Sequence, residues 1–209
     1  ERPSGSGIPI LFPFPNRIRD GRYSWDGTDY ELPREKVGYD GTGNAIHGFV
    51  IDRPWRVVDQ TENSVTGEFQ LSTDAPDRRE LWPADFILTV KYALAGAKLR
   101  AEITIRNPDN VPLPWGLGTH PYFKLPFGET STADQCLLVA PAASQWDLID
   151  CLPTGIQQSL PEELELADGV YFGEEKLDDV FRATPGDIIE CAMIDEPAGL
   201  QVTQRSPGL

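Results

Sequence analysis

Positive charge is scarce in this chain. Its 33 acidic residues outnumber its 18 lysines and arginines, leaving a net charge of −15. A protein that neutralises nucleic-acid phosphates needs clustered Lys and Arg, so this balance argues against nucleic acid as a partner. An anionic membrane surface would repel the chain for the same reason. No apolar run approaches the ~20 residues of a helical membrane span, and no signal-peptide pattern is visible. Cysteine is also sparse: Cys136, Cys151 and Cys191 are odd in number and far apart. No C-x-x-C or Cys/His ligand spacing occurs, which argues against a structural zinc site and for a reducing, cytoplasmic setting. The chain starts at Glu1 without methionine and stops at Leu209 without a tidy ending, so both ends read as trimmed.

Helical periodicity is nearly missing too. A short acidic stretch, Leu160 to Leu166, suits either a turn of helix or a loop. What dominates is alternation with period two, the mark of half-buried strands. In Phe86–Tyr92 the even positions are large and apolar, and in Leu99–Arg106 the odd positions are apolar. Together they predict a long antiparallel hairpin with Leu99, Ala101, Ile103 and Ile105 inward. Arg22 to Leu32 predicts a second hairpin around Asp26-Gly27. Trp55–Val58 and Val65–Leu71, around Thr61–Ser64, predict a third, and Leu137–Val139 a further short strand. Nineteen prolines and nineteen glycines break the chain at short intervals, as many strands and turns require. The expected architecture is all-β: one large antiparallel β-sandwich domain spanning residues 1–209.

Histidine occurs only twice, at His47 and His120. Both lie in glycine-flanked, aromatic segments, Gly43–Phe49 and Gly116–Phe123. An imidazole with a pKa near 6.5 is the side chain suited to proton transfer at neutral pH. Each alone is more often a hydrogen-bonded structural residue, but a pair in matching contexts suits a shared proton-transfer site. Trp115 and Phe123 bracket His120, while Phe49 and Trp55 follow His47. Aromatic faces pack on sugar C–H faces while polar groups read hydroxyls; the plainer alternative is sandwich core, which suits Trp55. Gly7–Ile18 holds three prolines among apolar residues and ends in Asn16-Arg17, too proline-rich for a central strand. Arg17 offers five fixed donors to hydroxyls or carboxylates, or pairs with Asp20 or Asp26. Asp178-Asp179, before Val180-Phe181, suits a solvated turn or a hydroxyl-binding loop.

Five segments occur in an order that resembles the aldose 1-epimerases (galactose mutarotases): Asn16-Arg17-Ile18, Asn44-Ala45-Ile46-His47-Gly48, Trp82-Pro83 ahead of the long hairpin, Gly118-Thr119-His120-Pro121-Tyr122-Phe123, and Leu177-Asp178-Asp179-Val180-Phe181. The resemblance implies a galactose mutarotase-like sandwich, incomplete at both ends, and a cofactor-free, metal-free enzyme acting on a small sugar. It implies that His120 is the general acid at the ring oxygen and His47 its neighbour at the anomeric end. Arg17 and Asp178 would hold sugar hydroxyls, with Asn16 and Trp115 lining the same site. The family's general base is a glutamate on a strand beyond the Asp motif. Glu190 and Glu196 follow Asp178, but neither stands in that motif, so little activity is expected of these residues alone.

Two alternatives stand beside this expectation. One is a hexose-phosphate epimerase of the same fold, which would need a clamp drawn from Arg17, Arg19, Arg22, Arg78 and Arg79. The other is a carbohydrate-binding module that keeps the pocket and lacks the base. The oligomeric state is open.

Overall fold

Alternation of apolar and polar residues becomes antiparallel strands throughout the computed structural model, which describes residues 5–162, 164–173 and 177–208. The chain divides into two compact units, Glu1–Tyr122 and Phe123–Leu209. Each is described by itself.

In the first unit, the largest sheet has four antiparallel strands in the order Arg56–Gln60, Ser64–Gln70, Ile87–Ala95, Lys98–Arg106. The long hairpin closes at Gly96, whose φ of 57° suits a residue without a Cβ. Phe86, Leu88 and Val90 point into the core, as the alternation requires. On the partner strand only half of the expectation holds. Ile103 and Ile105 pack on the core opposite Val90 and Leu88. Leu99 is 54% exposed and Ala101 is exposed as well. That strand is an edge of its sheet among the described residues, and its first half runs past the end of the core with Leu94, its exposed partner.

The second predicted hairpin forms as Arg22–Trp25 paired with Thr28–Glu31, with Asp26 and Gly27 both at positive φ. That is the turn geometry whose twist matches the two strands. The third forms as Arg56–Gln60 and Ser64–Gln70, one register irregularity included. Leu71 does not continue the strand as expected. It opens a single helical turn, Leu71–Asp74, because the Asp74 carboxylate accepts the Gln70 N–H at 2.7 Å and closes the turn.

The proline-rich segment 7–18 is the spine of this unit. Its short strands Ile10–Leu11 and Arg17–Ile18 pair with Gly118–Thr119 and Ala45–Ile46. Further bonds run from His47 N–H to the Asn16 carbonyl, from Phe49 N–H to Phe12 and from His120 N–H to Pro9. Prolines suit a segment that gives away carbonyls more than it needs N–H partners. Beneath it lies an aromatic core: Phe12 meets Phe86 edge-on at 4.7 Å, and Phe14 packs between Phe49 and Trp82.

The second unit holds two further antiparallel sheets. One has the order Leu152–Gln158, Ala142–Ile149, Phe181–Ala183. The other has Val170–Tyr171, Cys136–Val139, Ile188–Asp195, Leu200–Pro207. The described part of the Leu160–Leu166 stretch forms turns, with Leu164 N–H on the Pro161 carbonyl; Glu163 lies outside the described residues. No helix among the described residues is long and apolar enough to cross a membrane.

Candidate active site

The spine carries both histidine segments, one along each side, and this brings the two rings together. His47 and His120 lie 6.0 Å apart, centroid to centroid, at 70° to one another. His47 adopts φ 67°, a left-handed conformation that histidine tolerates better than most residues. The next residue, Gly48, is also left-handed at φ 79°. A Cβ there would stand 2.0 Å from the Phe12 carbonyl oxygen, so only glycine lets the histidine loop close on the spine.

His47 is half-buried, and its Nδ1 lies 3.1 Å from the Pro15 carbonyl. A carbonyl only accepts, so Nδ1 carries the proton and Nε2 is left as the acceptor. Burial lowers the pKa of this imidazole; the Pro15 bond opposes that, and the neighbouring His120 and Arg17 add to the lowering. His47 is therefore neutral at neutral pH. His120 is exposed and stacks on Tyr122 at 4.7 Å.

Arg17 sits beside this pair. Its Nε donates to Asp40 Oδ2 at 2.6 Å and its Nη1 to Asn16 Oδ1 at 2.7 Å. The expected partners Asp20 and Asp26 are not used. Asp40 Oδ1 accepts from Thr42 N–H, Thr42 Oγ1 and Asn44 N–H. Burial alone would raise the Asp40 pKa. The Asn44 N–H, the Arg17 guanidinium and the two Thr42 donors outweigh it and hold the carboxyl well below the usual range. Sequence reasoning missed Asp40 and Tyr122. The Asp40-Gly41-Thr42-Gly43-Asn44 run is a visible turn signal, but nothing local says which arginine, 23 residues earlier, it will meet.

The structure gathers Asn16, Arg17, His47 and His120 within the first unit. Trp115 is 56% exposed and tilts against Phe12 at 6.3 Å. Asp178 is exposed on a loop of the second unit, between Val170–Tyr171 and Phe181–Ala183. Trp55 packs on Phe69 and bonds the Val50 carbonyl, so it belongs to the core. The two late glutamates are engaged elsewhere in the second unit: Glu190 with Arg205 and Glu196 with the Tyr171 hydroxyl. Of the arginines considered for a phosphate clamp, Arg78 is buried on Asp52, Arg79 meets Asp109, and Arg22 meets Glu31. Among the described residues no three His, Cys, Asp or Glu gather as metal ligands.

Residues 5–206 match the sequence profile of the aldose 1-epimerase family. The chain belongs to that family. It is 28% identical over 202 residues to the uncharacterized protein YihR of Escherichia coli K12, covering 96% of this chain and 62% of that protein. A probable aldose 1-epimerase of Arthroderma benhamiae is 26% identical over 95% of this chain and 48% of its own length. The crystal structure of a galactose mutarotase-like protein from Clostridium acetobutylicum superposes with a TM-score of 0.83 at 25% identity, over 97% of this chain and 62% of that one. The fold is the all-β sandwich of the galactose mutarotases. The chain thus spans about half to three fifths of the length of these relatives.

Proposed function

We propose that this chain carries the sugar-binding and acid side of an aldose 1-epimerase, which interconverts the α and β anomers of a free hexose, and that residues 1–209 work as a single domain. The observation that carries the reading is the facing, unequal pair of histidines held on one spine. Ring opening needs a proton delivered to the ring oxygen while the C1 hydroxyl loses one. His47, neutral and with Nε2 bare, accepts a hydrogen bond from a sugar hydroxyl at the anomeric end. His120, the exposed member, protonates the ring oxygen. Arg17 holds hydroxyls with its remaining Nη donors, beside Asn16. Asp178 and Trp115 contribute hydroxyl and C–H contacts.

A neutral substrate suits the charges. Four of the five arginines a phosphate clamp would draw on are already paired with carboxylates: Arg17, Arg22, Arg78 and Arg79. The test is polarimetry on freshly dissolved α-galactose and α-glucose with the intact protein, its His120→Ala variant and its Arg17→Gln variant. The expected pattern is a fall in kcat for His120→Ala and a rise in KM for Arg17→Gln, because an acid acts in the transition state and a binding group also acts in the ground state. Turnover of a sugar phosphate with none of a free sugar would overturn the reading.

A further inference from the structure

The two oxygens of Asp40 do separate jobs. Oδ1 takes all three bonds from its own loop, from Thr42 N–H, Thr42 Oγ1 and Asn44 N–H, between 2.9 and 3.0 Å. Oδ2 faces the Arg17 Nε at 2.6 Å. The pair is well shielded, with 20% of the arginine and 10% of the aspartate side chain exposed. The loop is fixed in turn: Asn44, itself 3% exposed, donates to Thr42 Oγ1 and accepts the Asp20 N–H. Asp40 is therefore a rigid carboxylate built against one edge of the guanidinium.

We propose that Asp40 is a positioning and specificity-determining residue: it aims Arg17 and cancels its charge, so that the site takes neutral sugar hydroxyls in preference to an anionic sugar. The inference rests on the reading of Arg17 as a sugar-binding group. Held by Asp40 on Nε and by Asn16 on Nη1, Arg17 keeps its outer donors in one orientation. Hydroxyls accept from such donors without needing net charge. A carboxylate or phosphate arriving there meets the field of Asp40 as well as that of Arg17, and shielding from water makes both fields stronger.

Asp40→Asn tests this. The amide keeps an oxygen for the loop and turns an N–H₂ toward Arg17 Nε, where it cannot accept. The measurements are equilibrium titrations of the protein with galactose, galacturonate and galactose 6-phosphate, at low and moderate salt, with thermal unfolding as a check on the fold. Asp40→Asn should weaken galactose by about tenfold and raise the anion-to-neutral preference by about tenfold, the latter fading with salt. In an Arg17→Gln background the same substitution should change neither quantity, because its effect runs through Arg17. Equal weakening of all three ligands, or no change in any, overturns the inference while leaving the sugar site standing. The wild-type protein gives a second reading that needs no variant: a marked low-salt preference for galacturonate over galactose would also overturn it. A wild type that binds none of the three sinks the functional reading, and this inference with it.

Discussion

The two units are built on different apolar cores. The first closes over aromatic rings: Phe12, Phe49, Phe69 and Phe86 are fully buried under the segment that carries the histidines. The second has a smaller apolar cluster, around Leu164, Leu166 and Val170. Each unit also buries a carboxylate: Asp85 in the first, on the N–H groups of Ser72 and Phe86, and Asp195 in the second. Asp195 is fully shielded and accepts the N–H groups of Phe127, Gly128 and Ala198. Packed rings fix neighbouring backbone without polar partners, which leaves the polar groups above them free for chemistry. A buried carboxylate ties loops together and is used up in doing so. The facing histidines belong to the first unit, whereas in the second Asp195, Glu190 and Glu196 are each bonded to neighbours within that unit.

The largest test of that division is His120→Ala. It should lower kcat by about 10²–10⁴-fold with little change in KM, measured by polarimetry, whereas Asp178→Asn should act mainly on KM. An Asp178 effect on kcat as large as that of His120 would erase the contrast between the units.

The two kinds of core come next. Phe86→Ala should cost about 3–5 kcal/mol, a buried ring replaced by a cavity. Asp195→Ala should cost about 2–4 kcal/mol by leaving three N–H groups without an acceptor. Denaturant unfolding followed by circular dichroism reads both, and an Asp195→Ala variant as stable as wild type would show that the carboxylate is dispensable.

Glycine gives a finer comparison. Gly48 and Gly155 are both left-handed, at φ 79° and 91°, but a Cβ at Gly155 meets nothing within 4 Å. Gly155→Ala should cost about 1 kcal/mol, from backbone strain alone. Gly48→Ala adds collision with the Phe12 carbonyl and should cost at least about 3 kcal/mol, with loss of the histidine geometry. Equal melting losses would mean that the spine yields to the added methyl.

The smallest effect is in pH. His47 has a folded pKa below its ordinary value, so the folded state favours the neutral ring. Its contribution is fully present above about pH 6.5, the unfolded value, and is lost as pH falls through the lower folded value. Wild type should therefore lose more stability between pH 7 and pH 5 than a His47→Asn variant, in which that position does not titrate. Parallel denaturation curves at the two pH values decide it.

Much of this was legible in the residues. Alternation in 86–92, the Asp26-Gly27 turn and the polar break at 61–64 gave three hairpins, because period and turn chemistry are local properties. The histidine pair stood out because glycine and aromatic neighbours recur around both. The same locality explains the failures. Leu99 alternates as well as Ile105 does, but burial depends on how far the core extends, and no window of sequence contains that. Leu71 reads as the last residue of a strand until Asp74 folds back on Gln70.

The amino-acid sequence by itself determined the all-β class, the family, and the pair of imidazoles, since composition, periodicity and motif order are written along one dimension. Tertiary structure alone decided that Arg17 belongs to Asp40 and that His47 keeps its proton on Nδ1 for Pro15. Those assignments join residues 23 and 32 positions apart, and only the folded spine brings such distant donors and acceptors within 3.1 Å.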